Sequence, residues 1–153
     1  MTESTGTGAV PIEVLLVEDS PGDVRLTREA FKDVKVHINL HVAPDGAEAM
    51  AFLGREGAHS NAPRPDLILL DLNLPKKDGR QVLVEIKESP TLKIIPVVIL
   101  TTSASEADIL RSYQLNANCY ITKPVDLDEF LRVVKSIDNF WLSVVKLPRE
   151  ARS

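Results

Sequence analysis

The chain's 153 residues amount to one domain, and with 44% of them hydrophobic it has the material for a packed core. Its 18 basic and 22 acidic residues leave a formal charge of −4 with no basic stripe, which speaks against a nucleic-acid binder held by phosphate contacts. A single cysteine, Cys119, rules out an internal disulfide framework and fits a reducing compartment.

No apolar run approaches the roughly 20 residues that span a bilayer, and residues 1–11 lack the basic start and hydrophobic stretch of a signal peptide. They read as a flexible lead-in to a soluble, cytoplasmic protein with no membrane partner. One domain is expected over 12–146, with 147–153 a tail. Along it the apolar period switches repeatedly. Residues 14–17 are a short apolar run, and 21–33 carry Val24, Leu26, Ala30 and Phe31 at helical spacing. Residues 36–42 alternate with period two, and 46–56 are helical again. Then come a strand at 67–70, a helix at 79–88, a strand at 97–100, a helix at 106–115, a strand at 119–121 and a long helix at 126–145. Ser20 before Pro21 is an N-cap with proline at the first helical position. Asp45 to Glu48 and Asp126 to Glu129 have capping-box spacing.

Five strands alternating with five helices imply βαβ units and a parallel sheet, an α/β fold. The runs at 14–17, 67–70 and 97–100 are continuously apolar, as strands buried on both faces should be. The strand at 36–42 alternates and the one at 119–121 is short, which suits sheet edges. Right-handed crossovers with helices on both faces then favour a doubly wound five-stranded parallel sheet in the order 2-1-3-4-5. A ligand crevice opens in such a sheet where the winding reverses, at the carboxyl ends of strands one and three.

Strand one ends in Glu18 and Asp19, strand three in Asp71, strand four in Thr101, and strand five runs into Lys123 and Pro124. Three carboxylates converging on one rim repel, so their pKa values should rise unless a cation is present. Hard oxygen ligands at low count, with room for water, favour Mg²⁺ over a soft metal. A carboxylate beside Mg²⁺ and a lysine ammonium is suited to phosphoryl transfer, since the cations offset the phosphoryl charge while the carboxylate attacks phosphorus.

These residues resemble the set found in receiver domains of two-component response regulators. The stretches VLLVEDS at 14–20, PDLILLDLNLPKKDG at 65–79, PVVILTTS at 96–103 and CYITKP at 119–124 extend the likeness over roughly 12–136. Within that family, DLNLPKKDG and the tail around Phe140, Trp141 and Leu142 are similar to the stand-alone receivers that partner bacterial and cyanobacterial phytochrome kinases. The resemblance implies a flavodoxin-like (βα)5 fold with Asp71 as phosphoacceptor. It implies that Asp19 binds Mg²⁺ directly, Glu18 through water and Asn73 through its backbone carbonyl. Lys123 would pair with the phosphoryl group, with a cis bond to Pro124; Thr101 would donate its hydroxyl and Tyr120 would be the switch aromatic. The implied partners are a sensor histidine kinase, of phytochrome type in the narrower likeness, and an unknown downstream protein. The sequence departs from the family in carrying Glu-Asp where Asp-Asp is usual. It also carries Thr102 where a smaller residue is more frequent, which would shield the acyl phosphate from water.

Each residue also has a plainer reading. Glu18-Asp19 alone is an ordinary strand end, Asp71 alone a loop cap, and Tyr120 alone a packing aromatic. Lys76 and Lys77 read as a solvated loop, and Cys119 as a small buried hydrophobe. His37 and His41 fall on the exposed face of an alternating strand rather than at helical metal-ligand spacing. Only 17 residues follow Ser136, too few for an output domain, so the output is expected to be contact with another protein. A helix of about 20 residues is roughly 30 Å long and would overhang strands of about 17–20 Å. Its last turns carry Phe140, Trp141, Val144 and Val145, costly to leave wet at about 25 cal/mol per Å². They would fold back or form a symmetric homodimer through the segments 106–115, 119–121 and 126–145. Two other readings keep the same chemistry: a phosphate sink or relay adaptor with no effector, and a small Mg²⁺-dependent phosphohydrolase using an aspartyl-phosphate. A flavin module fits less well, because the crevice is acidic where a flavin phosphate would sit.

Overall fold

Val14, Leu15, Leu16 and Val17 have no exposed surface at all. Four successive buried side chains point alternately to two sides, so this strand needs a hydrophobic layer above and below it. A computed structural model of the protein describes residues 11–32, 37–72, 74, 78–101 and 119–136, and within them it supplies both layers. The elements are β1 (Ile12–Val17), α1 (Pro21–Ala30), β2 (Ile38–Ala43), α2 (Gly46–Gly54), a 3-10 turn (Gly57–His59), β3 (Leu67–Asp71), α3 (Gly79–Glu88), β4 (Val97–Thr101), β5 (Cys119–Thr122) and α4 (Leu127–Ser136). All four strand pairings are parallel, in the order β2-β1-β3-β4-β5 that the apolar patterns predict. The segments 106–115 and 137–145, with Phe140, Trp141, Val144 and Val145, lie outside the described residues.

The even-numbered side chains of β1 join Leu67, Leu69, Val98, Leu100 and Ile121 in a core closed by Phe31, Val125 and Phe130. The Phe31 and Phe130 rings, from the end of α1 and from α4, pack at 4.6 Å. Leu15 and Val17 of β1 join Ile68, Leu70, Val97 and Ile99 against Ala49 and Phe52 of α2 and Val82, Leu83 and Ile86 of α3. Helices therefore cover both faces, and the sheet is doubly wound. Among the described residues no helix is long and apolar enough to cross a membrane.

Local chemistry sets the boundaries. Ser20 Oγ accepts from Asp23 N–H at 3.2 Å, which starts α1 at Pro21. The helix stops at Ala30, three residues before the periodic pattern does, where the Phe31 N–H closes on Thr27 and Arg28 carbonyls and its ring turns into the core. Asp45 caps α2 through Glu48 N–H at 2.9 Å. The Glu48 carboxylate meets His59 Nε2 at 2.8 Å. In α4 the Asp126 carboxylate accepts from Asp128 N–H at 3.3 Å, one residue short of Glu129.

At the second strand His37 is exposed as expected, but the expectation for His41 is corrected. His41 is half-buried, with its ring 5.4 Å from that of Phe52 and its Nε2 2.6 Å from Glu13 Oε1. Asn39 donates to the other Glu13 oxygen at 3.1 Å. Alternation distinguishes apolar from polar positions; it does not reveal that a polar face has been covered by an aromatic side chain from α2 and by a carboxylate of the neighbouring strand.

Candidate functional site

Strand register brings the rim residues together. Val17 pairs with Leu70, so Glu18 follows at the level of Asp71; Asp71 pairs with Leu100, and Thr101 with Thr122, directly before Lys123. Glu18 and Asp71 are buried and Asp19 stands exposed at the mouth. One carboxylate oxygen from each of the three lies within 4.8 Å of the others. Lys123 Nζ enters from the far side, donating to Glu18 Oε1 at 3.1 Å and to Asp71 Oδ2 at 3.2 Å. The Lys123–Pro124 peptide bond is cis.

The backbone at Asp71 and Leu72 is held by the start of α3. Asp78 caps that helix through Arg80 N–H at 2.7 Å, and Gly79 N–H donates to Leu72 O at 3.2 Å. A Cβ on Gly79 would stand 2.5 Å from the Asp71 carbonyl oxygen and 2.6 Å from Leu72 Cα. Glycine is needed here because the helix backbone rests directly on the backbone that carries Asp71.

Electrostatics mark the cluster as short of positive charge. Burial first, then the hydrogen bond and charge of Asp71, raise the Glu18 carboxyl to about 7 against the opposing pull of Lys123. Burial also works against the Lys123 ammonium. The hydrogen bonds it donates to Asp23 and Glu18 and the charges of Asp71 and Glu18 outweigh it, so that its pKa lies above the ordinary lysine value. Three oxygen donors, two of them buried, with room for water at an open mouth, fit a hard divalent cation.

Asp23 is the residue that sequence reasoning missed. Its Oδ2 accepts from Lys123 Nζ at 2.9 Å, shorter than either contact above. An acidic residue in the first turn of a helix is what capping chemistry favours anyway, and that ordinary explanation conceals the second role. Of the other sequence candidates, Thr101 ends β4 at the rim and Tyr120 is half-buried on β5 against the α2–α3 core. Asn73 lies outside the described residues.

Residues 14–135 match the family model of the response regulator receiver domain. The chain belongs to that family. Response regulator Rcp1 of Synechocystis sp. is 54% identical over 138 residues, which cover 90% of this chain and 94% of Rcp1. A solved Mn²⁺-bound form of Rcp1 superposes with a TM-score of 0.70 over 90% of this chain and 99% of its own, at 54% identity. The phosphorylated cyanobacterial phytochrome response regulator RcpA is 55% identical, with a TM-score of 0.72 over 91% of this chain and 99% of that one. The bacteriophytochrome response regulator AtBRR is 41% identical with a TM-score of 0.81, over 86% of this chain and 96% of that one. This receiver thus has stand-alone phytochrome response regulators among its relatives, and its five-stranded sheet is the flavodoxin-like receiver fold.

Proposed function

We propose that this receiver takes a phosphoryl group from the phosphohistidine of a sensor histidine kinase onto Asp71, with Mg²⁺ bound, and signals through contacts that change on phosphorylation. The reading is carried by one observation: a lysine ammonium held 3.2 Å from one buried carboxylate and 3.1 Å from a second, beside a third that completes a cation-binding set. An Asp71 carboxylate oxygen attacks phosphorus, the P–N bond to histidine breaks as the P–O bond forms, and the histidine nitrogen recovers a proton from water. Lys123 offsets charge on the phosphoryl oxygens. Asp19 would hold Mg²⁺ directly, Glu18 through water, Asp71 by its second oxygen and Asn73 by its backbone carbonyl; the ion, when bound, neutralises the charge that the three carboxylates and the phosphoryl group accumulate. Thr101 would donate its hydroxyl to the phosphoryl group and Tyr120 would turn inward as Thr101 moves. The likeness to RcpA and AtBRR supports a phytochrome-type kinase in the cytoplasm as the donor. The apolar side chains of Phe140, Trp141, Val144 and Val145, costly to leave in water, are the reason to expect a homodimer, with an unidentified downstream protein as the recipient of the signal.

The test is intact mass after incubation with a small phosphodonor and Mg²⁺. One added phosphoryl group in the native protein and none in Asp71→Asn is the expected result. An adduct that persists in Asp71→Asn would place the acceptor elsewhere and overturn the assignment.

A further inference from the structure

Lys123 has three N–H donors, and three carboxylates occupy them: Glu18 at 3.1 Å, Asp71 at 3.2 Å and Asp23 at 2.9 Å. Glu18 follows β1, Asp71 ends β3 and Asp23 stands in the first turn of α1, so the ammonium is held from three directions. The three carboxylates have different fates. Asp71 becomes an acyl phosphate when it accepts a phosphoryl group, and the donor it held passes to a phosphoryl oxygen. Glu18 belongs to the cation set and must also face a bound ion. Asp23 neither reacts nor belongs to that set, and its contact is the shortest of the three. We propose that Asp23 is a positioning residue, which keeps its bond to Lys123 throughout the transfer and aims the lysine's remaining N–H at the phosphoryl oxygens. The inference rests on the phosphoryl-acceptor reading above.

The backbone of Asp23 is anchored as this role requires. Its N–H donates to Ser20 Oγ at 3.2 Å, and its carbonyl accepts from Thr27 Oγ1, a buried hydroxyl, at 3.0 Å. Just beyond the other end of α1, the Phe31 ring packs on Phe130 of α4 at 4.6 Å. The carboxylate therefore projects from a helix fixed at both ends. A lysine side chain is long, and holding it in one conformation costs entropy that fixed partners must offset before the donor arrives. Once Asp71 has reacted, Glu18 alone would leave the ammonium free to swing about a single bond. With Asp23 as well, two N–H bonds of a tetrahedral nitrogen are fixed, and the third has one direction left. A donor already aimed where charge gathers needs no rearrangement during the transfer.

Phosphoramidate serves as the donor in the test: its P–N bond breaks as the O–P bond to Asp71 forms, and ammonia leaves. Initial rates from intact mass, over a series of donor concentrations, separate the saturating rate from the half-saturating concentration. Mg²⁺ is kept saturating for each variant, so a change in ion affinity does not enter the rate. Asp23→Asn keeps the backbone anchors and the side-chain shape but offers Lys123 only a neutral acceptor. Its saturating rate is expected to fall about two- to five-fold, the size of one partly exposed charged contact. The half-saturating concentration should stay level or fall, because a negative charge has left the mouth that an anionic donor enters. Asp23→Glu restores a carboxylate and should recover most of the rate. A saturating rate in Asp23→Asn equal to or above that of the wild type overturns the inference, as does a loss that Asp23→Glu fails to recover. Should the amide variant fail to fold, Asp23→Ser is expected to show the same fall. A wild type that gains no more mass than the Asp71→Asn blank would instead remove the phosphoryl-acceptor reading, and this inference with it.

Discussion

The Glu18 side chain is almost wholly enclosed, and the nearest titratable group with which it shares Lys123 is another buried carboxylate, Asp71. Burial and repulsion at this residue favour its neutral form over its charged one, so the metal-free fold carries the site as a cost rather than a gain. Glutamine at this position keeps one oxygen to accept from Lys123 and removes the charge, giving up only the longer bond that Ser20 N–H now makes to Glu18 Oε2 at 3.3 Å. Glu18→Gln is accordingly expected to stabilise the protein in chelator by about 1 kcal/mol, a rise in Tm of roughly 2–4 °C for a domain of this size. Thermal unfolding in chelator checks it; a fall in Tm would mean that the Glu18–Lys123 pair is worth more than the repulsion and burial it carries.

Between residue and molecule, the elements that hold the site make their own demands. The first turn of α3 lies against the backbone of Asp71 and Leu72, and the atoms that a Gly79 Cβ would meet are main-chain atoms, which cannot rotate away as a side chain can. Gly79→Ala should thus push α3 off the Asp71–Leu72 backbone, with a loss of about 1–3 kcal/mol in stability. The larger effect should fall on acceptance of a phosphoryl group, because the displaced backbone carries Asp71. Denaturant titration and intact mass after phosphodonor treatment measure the two, and a variant with native stability and full phosphorylation would contradict the argument. Elements were also where the sequence spoke most clearly. Runs such as 67–70 and 97–100, apolar at every position, can only be strands buried on both faces, and they alone fix the middle of the sheet. The rim positions of Glu18, Asp19, Asp71, Thr101 and Lys123 were legible because strand ends are, and because a parallel sheet collects its carboxyl ends on one rim. What could not be read were pairings made by side chains far apart in the chain. The contacts of Lys123 to Asp23, 100 residues away, and of His41 to Glu13, 28 away, leave no periodic trace. The end of α1 at Ala30 was misjudged in a related setting, since the ring of Phe31 just beyond it packs on Phe130 of α4, far along the chain.

At the scale of the whole molecule, favourable burial and unfavourable charge lie in different places. The two cores on either side of the sheet contain the apolar side chains of every strand, whereas the carboxyl rim gathers Glu18, Asp19, Asp23 and Asp71 around the Lys123 ammonium. A ligand that binds only the folded rim must then stabilise the entire domain, by RT ln(1 + [L]/Kd), because the sheet that forms the cores is the same sheet that forms the rim. With Mg²⁺ as that ligand, a concentration 100 times its Kd contributes about 2.7 kcal/mol, which corresponds to a Tm increase of roughly 5–10 °C. The increase should disappear in Asp19→Asn and Asp71→Asn, which each delete an oxygen donor with little change in volume. It should be reduced in Glu18→Gln, so that the wild type, less stable in chelator, becomes the more stable of the two once the cation is present. That crossing is the informative result. A variant that helps the fold without metal and hurts it with metal identifies Glu18 as a residue retained for the cation rather than for the core. Thermal unfolding over a series of Mg²⁺ concentrations reads it directly, and a wild-type Tm that does not move with Mg²⁺ would show that the acidic rim does not bind the ion.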